Sequence, residues 1–186
     1  MWDTVSSLSI FVRQFCCWCV VCMVLAPSLV PAETVYESQD QFVSRAFGGK
    51  PPDPGVVWLT GDRKTRLSDI LGHDYPALRI RYWCRIDRSA WILEEVGKEL
   101  PITVGVVVKQ TWIERMRVLV YRENRGGEVS SPAFTGQFGG VGPGQHHGLD
   151  TRIDGITGAT LSVRALTRLA AVALYLHTQT DCANGP

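Results

Sequence analysis

From residue 33 onward the spacing of apolar and polar positions changes period several times, and each change marks an element. Residues 38–47 read as a short helix capped by Ser38 and stopped by Gly48-Gly49, and the proline-rich run Lys50–Gly55 follows as a loop. Val56–Thr60 reads as a strand, and Leu67, Ile70 and Leu71 share one face of a second short helix ending at Gly72. The period then becomes two. Leu78–Ile86, Ala90–Val96, Ile102–Val108 and Ile113–Tyr121 read as strands, separated by Asp87-Arg88-Ser89, Gly97–Pro101 and Lys109–Trp112. Connections this short make neighbouring strands antiparallel. Three- and four-residue spacing returns at Leu161, Ala165, Leu169, Val172, Ala173 and Leu176, which predicts a core-facing helix from about 160 to 177. The expected class is α+β, an antiparallel sheet covered by helices, with the amphipathic helix last.

The first 32 residues follow a different rule. Phe15–Val30 is a nearly unbroken apolar stretch, short for a membrane span and interrupted by Pro27, and Val30-Pro31-Ala32 places small residues where a signal peptidase cuts. We read 1–32 as a signal peptide and 33–186 as one domain of about 150 residues. The charge before the apolar stretch is weak, Arg13 against Asp3, which leaves an uncleaved anchor as the alternative. Cys16-x-x-Cys19 and Cys19-x-x-Cys22 have metal-like spacing but sit inside the apolar core of this leader with no second ligand pair. After cleavage only Cys84 and Cys182 remain. An oxidising compartment permits them to pair; the alternation along 78–86 equally makes Cys84 a buried free thiol.

A formal net charge of +1 excludes a dedicated nucleic-acid surface. Arg79, Arg81 and Arg85 form one basic strand face, most simply a solvated one. Between the last strand and the last helix lies a long glycine-rich connection, Arg122–Ile153, of the kind that is either functional or disordered. His146-His147 within it has no ligand partners at metal spacing, so no metal site is read there. Nothing in the chain matches a phosphate-binding P-loop or a dinucleotide fingerprint.

The last helix is preceded by Asp154-Gly155-Ile156-Thr157-Gly158-Ala159-Thr160. Gly158 can bend the chain, and Thr160 stands at or beside the N-cap, where its hydroxyl would ordinarily accept the N–H of Ser162 or Val163. The free N–H groups of such a helix start also suit a phosphate. Asp154 either holds the turn through an Asx-type bond or helps a metal carried by another protein.

This run resembles the D-x-x-(S/T)-G-A-(T/S) signature of the FMN-binding domain family, in which the last hydroxyl residue carries flavin mononucleotide as a phosphoester. The related flavin-carrying subunits of the sodium-pumping NADH:quinone oxidoreductase and of the Rnf complex also have, in the same order, a glutamate- and glycine-containing turn, here Tyr121–Glu128, and a Q-F-x-G element, here Gln137–Gly140. The resemblance covers about residues 100–177. It implies covalent FMN on Thr160, with Ala159, Gly158, Thr157 and Asp154 around it, attached by a flavin transferase that uses FAD and a divalent metal of its own. Phe134 and Phe138 are candidates for the wall of the ring slot, or else core residues beneath the loop. Glu123 and Arg125 either fix the turn, line the rim or are solvated charges. The function implied is an exported electron carrier rather than a stand-alone enzyme. It would work in the periplasm or on the outer face of the inner membrane and exchange electrons with a membrane-bound or periplasmic partner. The rival readings are a secreted binding module in which Thr160 is only a cap, and a flavin reductase.

Overall fold

The computed structural model describes residues 33–183; the leader, its cysteine pairs and its cleavage site lie outside them. Six strands form one antiparallel sheet: β1 (Thr34–Val35), β2 (Pro54–Trp58), β3 (Arg79–Arg85), β4 (Arg88–Val96), β5 (Pro101–Lys109) and β6 (Trp112–Tyr121), in the order β1-β6-β5-β4-β3-β2. Four helices accompany it: α1 (Gln39–Ala46), α2 (Asp62–Leu71), the single turn α3 (Pro132–Thr135) and α4 (Thr160–His177). The α+β expectation holds: β2 to β6, α1 and α4 begin and end within a few residues of the positions their periodicity gives, α2 stops at the expected Gly72, and β1 has no counterpart in the sequence reading.

Local chemistry sets the helix ends. Ser38 and Gln41 form a reciprocal capping box, the Ser38 hydroxyl accepting the Gln41 N–H at 3.2 Å and the Gln41 amide oxygen accepting the Ser38 N–H at 3.3 Å. α2 ends because Gly72 adopts φ 78°, a left-handed conformation that other residues enter at a cost. The connection between β3 and β4 is tighter than Asp87-Arg88-Ser89 implies: Arg88 already pairs with Arg85 in the ladder. Its guanidinium donates to the Ala46 carbonyl and to Glu114, so a polar residue with turn-like neighbours belongs to the strand.

Both faces of the sheet are covered. Leu166, Leu169, Val172 and Leu176 of α4 pack with Leu67 and Leu71 of α2 against Trp91, Leu93, Val104 and Val106. On the other face Phe42 and Val43 of α1 meet Ala90, Val107 and Leu119. A Cβ on Gly105 would lie 2.6 Å from the Phe42 ring, so this glycine gives α1 its close seat on β5. Because β5 is central and buried on both faces, Ile102–Val108 is an unbroken run rather than an alternation.

The long connection after β6 is ordered by short turns. Ser131 caps α3, and Val129, Phe134, Phe138 and Val141 are buried beneath the segment. Backbone bonds Gly140 N–H to Ile113 O and Ile113 N–H to Val141 O, both 2.8 Å, bind it to the start of β6.

Cys84 and Cys182 form a disulfide, with Cα atoms 5.9 Å apart, which ties β3 to the turn after α4. Cys84 follows Ile80 and Tyr82 on the face that α4 covers, so its apolar-side position and its pairing are compatible. The free-thiol alternative is thereby set aside. Among the described residues no helix is long and apolar enough to cross a membrane.

Candidate functional site

The motif makes a tight turn before α4. Gly158 has φ +85° with open space around its missing Cβ, so backbone conformation and not crowding requires a glycine. The turn closes with the Ala159 N–H donating to the Ile156 carbonyl at 3.0 Å, and the Ala159 carbonyl then accepts the Val163 N–H at 2.9 Å. Ala159 is therefore the N-cap, and no side chain caps this helix. The expectation that the Thr160 hydroxyl could cap α4 is corrected: the left-handed turn starts the helix one residue early and makes Thr160 its first residue. Thr160 is exposed, and among the described residues its hydroxyl makes no hydrogen bond. The N–H groups of Thr160, Leu161 and Ser162 likewise have no acceptor there.

A cavity of about 460 Å³ opens on this helix start. Gly158–Ser162 form one side, Glu123–Arg125 the second, and Lys98 and Glu99 of the β4–β5 turn the third. Its size is within the range of small-molecule sites, about 300–1,000 Å³.

Glu123 holds two of those sides together. One carboxylate oxygen accepts the backbone N–H groups of Lys98, Glu99 and Leu100 at 2.6, 2.7 and 3.0 Å. Burial works against its charge, but these donors outweigh it and leave the carboxyl below its usual pKa. Glu123 thus fixes a turn, though the turn is the β4–β5 hairpin and not its own loop. Tyr121 links the second side to the helix start: its hydroxyl donates to the Arg125 carbonyl at 2.5 Å and lies 3.2 Å from Ser162 Oγ. With the tyrosine hydrogen committed, Ser162 is the donor to Tyr121. The packing here is close: a Cβ on Gly97 would lie 3.0 Å from Glu123 Oε1, and Gly126, at φ +84°, would place one 2.9 Å from the Tyr121 hydroxyl.

The structure brings Gly158, Ala159, Thr160 and Glu123 to one cavity and leaves Phe138, Asp154 and Thr157 off it. Phe138 is fully buried, edge-on to Phe134 with ring centres 5.8 Å apart, so both phenylalanines belong to the core and form no cavity wall. The apolar side chain on the cavity is Leu161, 42% exposed. Asp154 and Thr157 are exposed. Asp154 is held through its backbone, its N–H donating to Gln137 Oε1 at 2.8 Å; among the described residues its carboxylate accepts no hydrogen bond, so the Asx-type bond is not made. Lys98 and Glu99 escaped the sequence reading, which placed Tyr121 at the start of a turn, Leu161 on the core face of the helix and Ser162 only beside Thr160. Only Leu161 and Ser162 adjoin the motif; the others arrive through strand pairing, which leaves no local pattern.

Residues 97–175 match the family model described as FMN-binding domain. The chain carries a domain of the FMN-binding family. No curated protein matches the chain. FMN is the cofactor and the protein is an FMN-binding flavoprotein. The matched span of the FMN-binding domain begins at Gly97, in the turn that Glu123 clasps, and ends at Tyr175 in α4, so it takes in every side of the cavity. The residues there fit the cofactor's charge. Three free N–H groups and the positive end of an 18-residue helix face the cavity, with Arg125 alongside, Lys98 ion-paired there with Glu99 at 3.1 Å, and no acidic residue in the first turn of α4. The nearby Glu123 carboxylate has its charge met by backbone donors. Leu161, 42% exposed, would offer apolar surface at the edge of the cavity to a flavin ring.

Proposed function

We propose that this FMN-binding protein is an exported electron carrier that holds its flavin covalently, as a phosphoester on Thr160. The observation that carries the reading is the state of that side chain. Thr160 is exposed at the head of α4, beside three unpaired N–H groups, and the capping role that would otherwise explain its hydroxyl is filled by Ala159. Neighbouring hydroxyls are poorer acceptors: Ser162 is buried and committed to Tyr121, and Thr157 lies outside the cavity. The same facts disfavour the binding module in which Thr160 is only a cap.

In the attachment reaction, Thr160 Oγ1 bonds to the flavin-side phosphorus of FAD as the pyrophosphate bond to AMP breaks, and the hydroxyl proton passes to a base of the transferase. The first turn of α4 would hold the resulting phosphoester through its N–H groups, with Lys98 and Arg125 balancing the charge. Flavin supplies the redox chemistry, and this chain positions it and leaves one side open to a partner. Export gives the covalent bond a purpose, because a tethered cofactor stays at high effective concentration where a released one would be diluted away. The Cys84–Cys182 disulfide supports a location outside the cytosol, in the periplasm or on the outer face of the inner membrane. The proposed donor or acceptor is a membrane-bound or periplasmic redox protein.

The test is to express the full chain with a flavin transferase and compare flavin fluorescence of the denatured wild type, Thr160→Ala and Thr160→Ser. Wild type and the serine variant should retain flavin through denaturation, while the alanine variant should be folded and colourless. Flavin that survives denaturation on Thr160→Ala would overturn the assignment.

A further inference from the structure

The basic face of β3 divides in two. Arg85 is engaged within the fold: its guanidinium donates to the Lys50 carbonyl at 2.6 Å and lies 5.4 Å from the centre of the Phe47 ring. Arg79 and Arg81 are exposed, and among the described residues neither makes a hydrogen bond or an ion pair.

The reach of α1 explains the difference. That helix is eight residues long and closes its face of the sheet only over β4, β5 and β6, where Phe42 and Val43 pack on Ala90, Val107 and Leu119. Trp83 and Ile92 stand at the border of this cluster. Beyond them the same face of β2 and β3 is open to solvent, with Val56 43% and Trp58 53% exposed. The ladder sets Val56 opposite Arg81 and Trp58 opposite Arg79, and cross-strand partners share a face. The Arg79 guanidinium accordingly lies 5.7 Å from the centre of the Trp58 ring.

A hollow of about 480 Å³ lies over this surface, between Val56, Arg79, Arg81, Trp83 and Ile92. Among the described residues the one carboxylate lining it is Glu94, which accepts the Thr103 hydroxyl at 2.6 Å and lies 3.9 Å from the Arg122 guanidinium. Glu94 is thus balanced by Arg122, and the two arginines of β3 leave the face positive. Exposed aromatic and aliphatic side chains beside unpaired guanidinium groups suit a partner that is apolar within and negative at its surface. An anionic bilayer is both: an indole settles at headgroup depth, and an arginine lays its stem along apolar surface while its head meets phosphate. A second copy of this chain would instead bring four unpaired arginines together on this face.

We propose that the open face of β2 and β3 docks the protein on an anionic lipid bilayer, with Val56 and Trp58 entering the headgroup layer and Arg79 and Arg81 meeting lipid phosphates. The flavin cavity shares none of these residues, so the proposal stands independently of the cofactor's attachment.

The test is cosedimentation of the full chain with vesicles of phosphatidylglycerol and phosphatidylcholine, set against phosphatidylcholine alone. The apolar stretch Phe15–Val30 is common to every variant, so the comparison between variants reads this face. Affinity for the phosphatidylglycerol vesicles should fall at least about tenfold in Arg79→Gln/Arg81→Gln, since each arginine near an anionic surface strengthens binding by about fivefold. Arg152→Gln/Arg164→Gln removes the same charge from exposed positions elsewhere and should change it by less than about threefold. Brominated phosphatidylcholine in the vesicles should quench a component of the tryptophan emission that Trp58→Phe lacks. Equal losses in the two arginine variants, or equal quenching of wild type and Trp58→Phe, would overturn the proposal. Binding of polyglutamate as tight as that of the vesicles, with no quenching at Trp58, would assign the face to an acidic protein and overturn the lipid. Flavin loading on Thr160 should be the same in Arg79→Gln/Arg81→Gln as in wild type, so none of these results bears on the flavin.

Discussion

Thr160 and Ser162 carry the same functional group two residues apart in one helix, yet only one has a free hydroxyl. Ser162 is turned into the protein and donates to Tyr121, whereas Thr160 precedes the inward-facing positions and points to solvent. Glu123 shows the same dependence on partners. Its type and position in the chain are those of an ordinary loop charge, and only the fold discloses the three N–H groups it satisfies. Its folded pKa is depressed, so its ionised form contributes stability in full above the ordinary value of 4.5, and that contribution is lost as pH falls through the lower folded value. Glu123→Gln should therefore be destabilised by about 1 kcal/mol at neutral pH, and the gap should shrink in acid as the wild-type carboxyl protonates. Urea unfolding near pH 7 and pH 3 checks this; an unchanged gap would mean that the charge contributes nothing to the clasp.

Among the elements, those with a sustained period were legible. α4 repeats its apolar face over five turns, and β3 to β6 alternate or run apolar, so sequence spacing located them all. What spacing could not show is where an irregular segment sends its side chains. Phe138 follows a glycine-rich stretch with no period, and whether it faces a ligand or the core is decided by the turns 127–138, which fold it under β6. The site was half legible for a related reason. Gly158–Thr160 is a contiguous motif, but Lys98 and Glu99 reach the same cavity through the β4–β5 hairpin, about sixty residues earlier in the chain. The helix start makes its own prediction. Gly158→Ala forces a Cβ into a left-handed conformation at a cost of about 1–2 kcal/mol, and relief of that strain would move the start of α4. Thermal unfolding should show the loss, and flavin loading of the folded variant should fall; full loading with unchanged stability would contradict the role given to this turn.

At the scale of the whole molecule, the two faces of the sheet serve different ends. α1 closes one face, while α4 spans the other and brings the motif to one end and Cys182 to the opposite end. Sequence pattern left Cys84 open between a buried thiol and a paired one, because alternation gives the side of a strand but not what arrives there. The bridge closes a loop with a sequence separation of 98 residues, for which the chain-entropy estimate is about 4–5 kcal/mol. Denaturant unfolding with and without reductant, or of the Cys84→Ser/Cys182→Ser variant, should show a loss of about 2–5 kcal/mol. No loss would indicate that the disulfide does not form in solution.

The central claim is that this domain carries FMN on one defined oxygen. Its most direct test is mass mapping of peptides from the full chain produced with an active flavin transferase. The account predicts a single modified peptide, heavier by FMN less one water, with fragment ions that place the adduct on Thr160. An adduct on Thr157 or Ser162, or an unmodified Thr160 peptide despite demonstrated transferase activity, would contradict it.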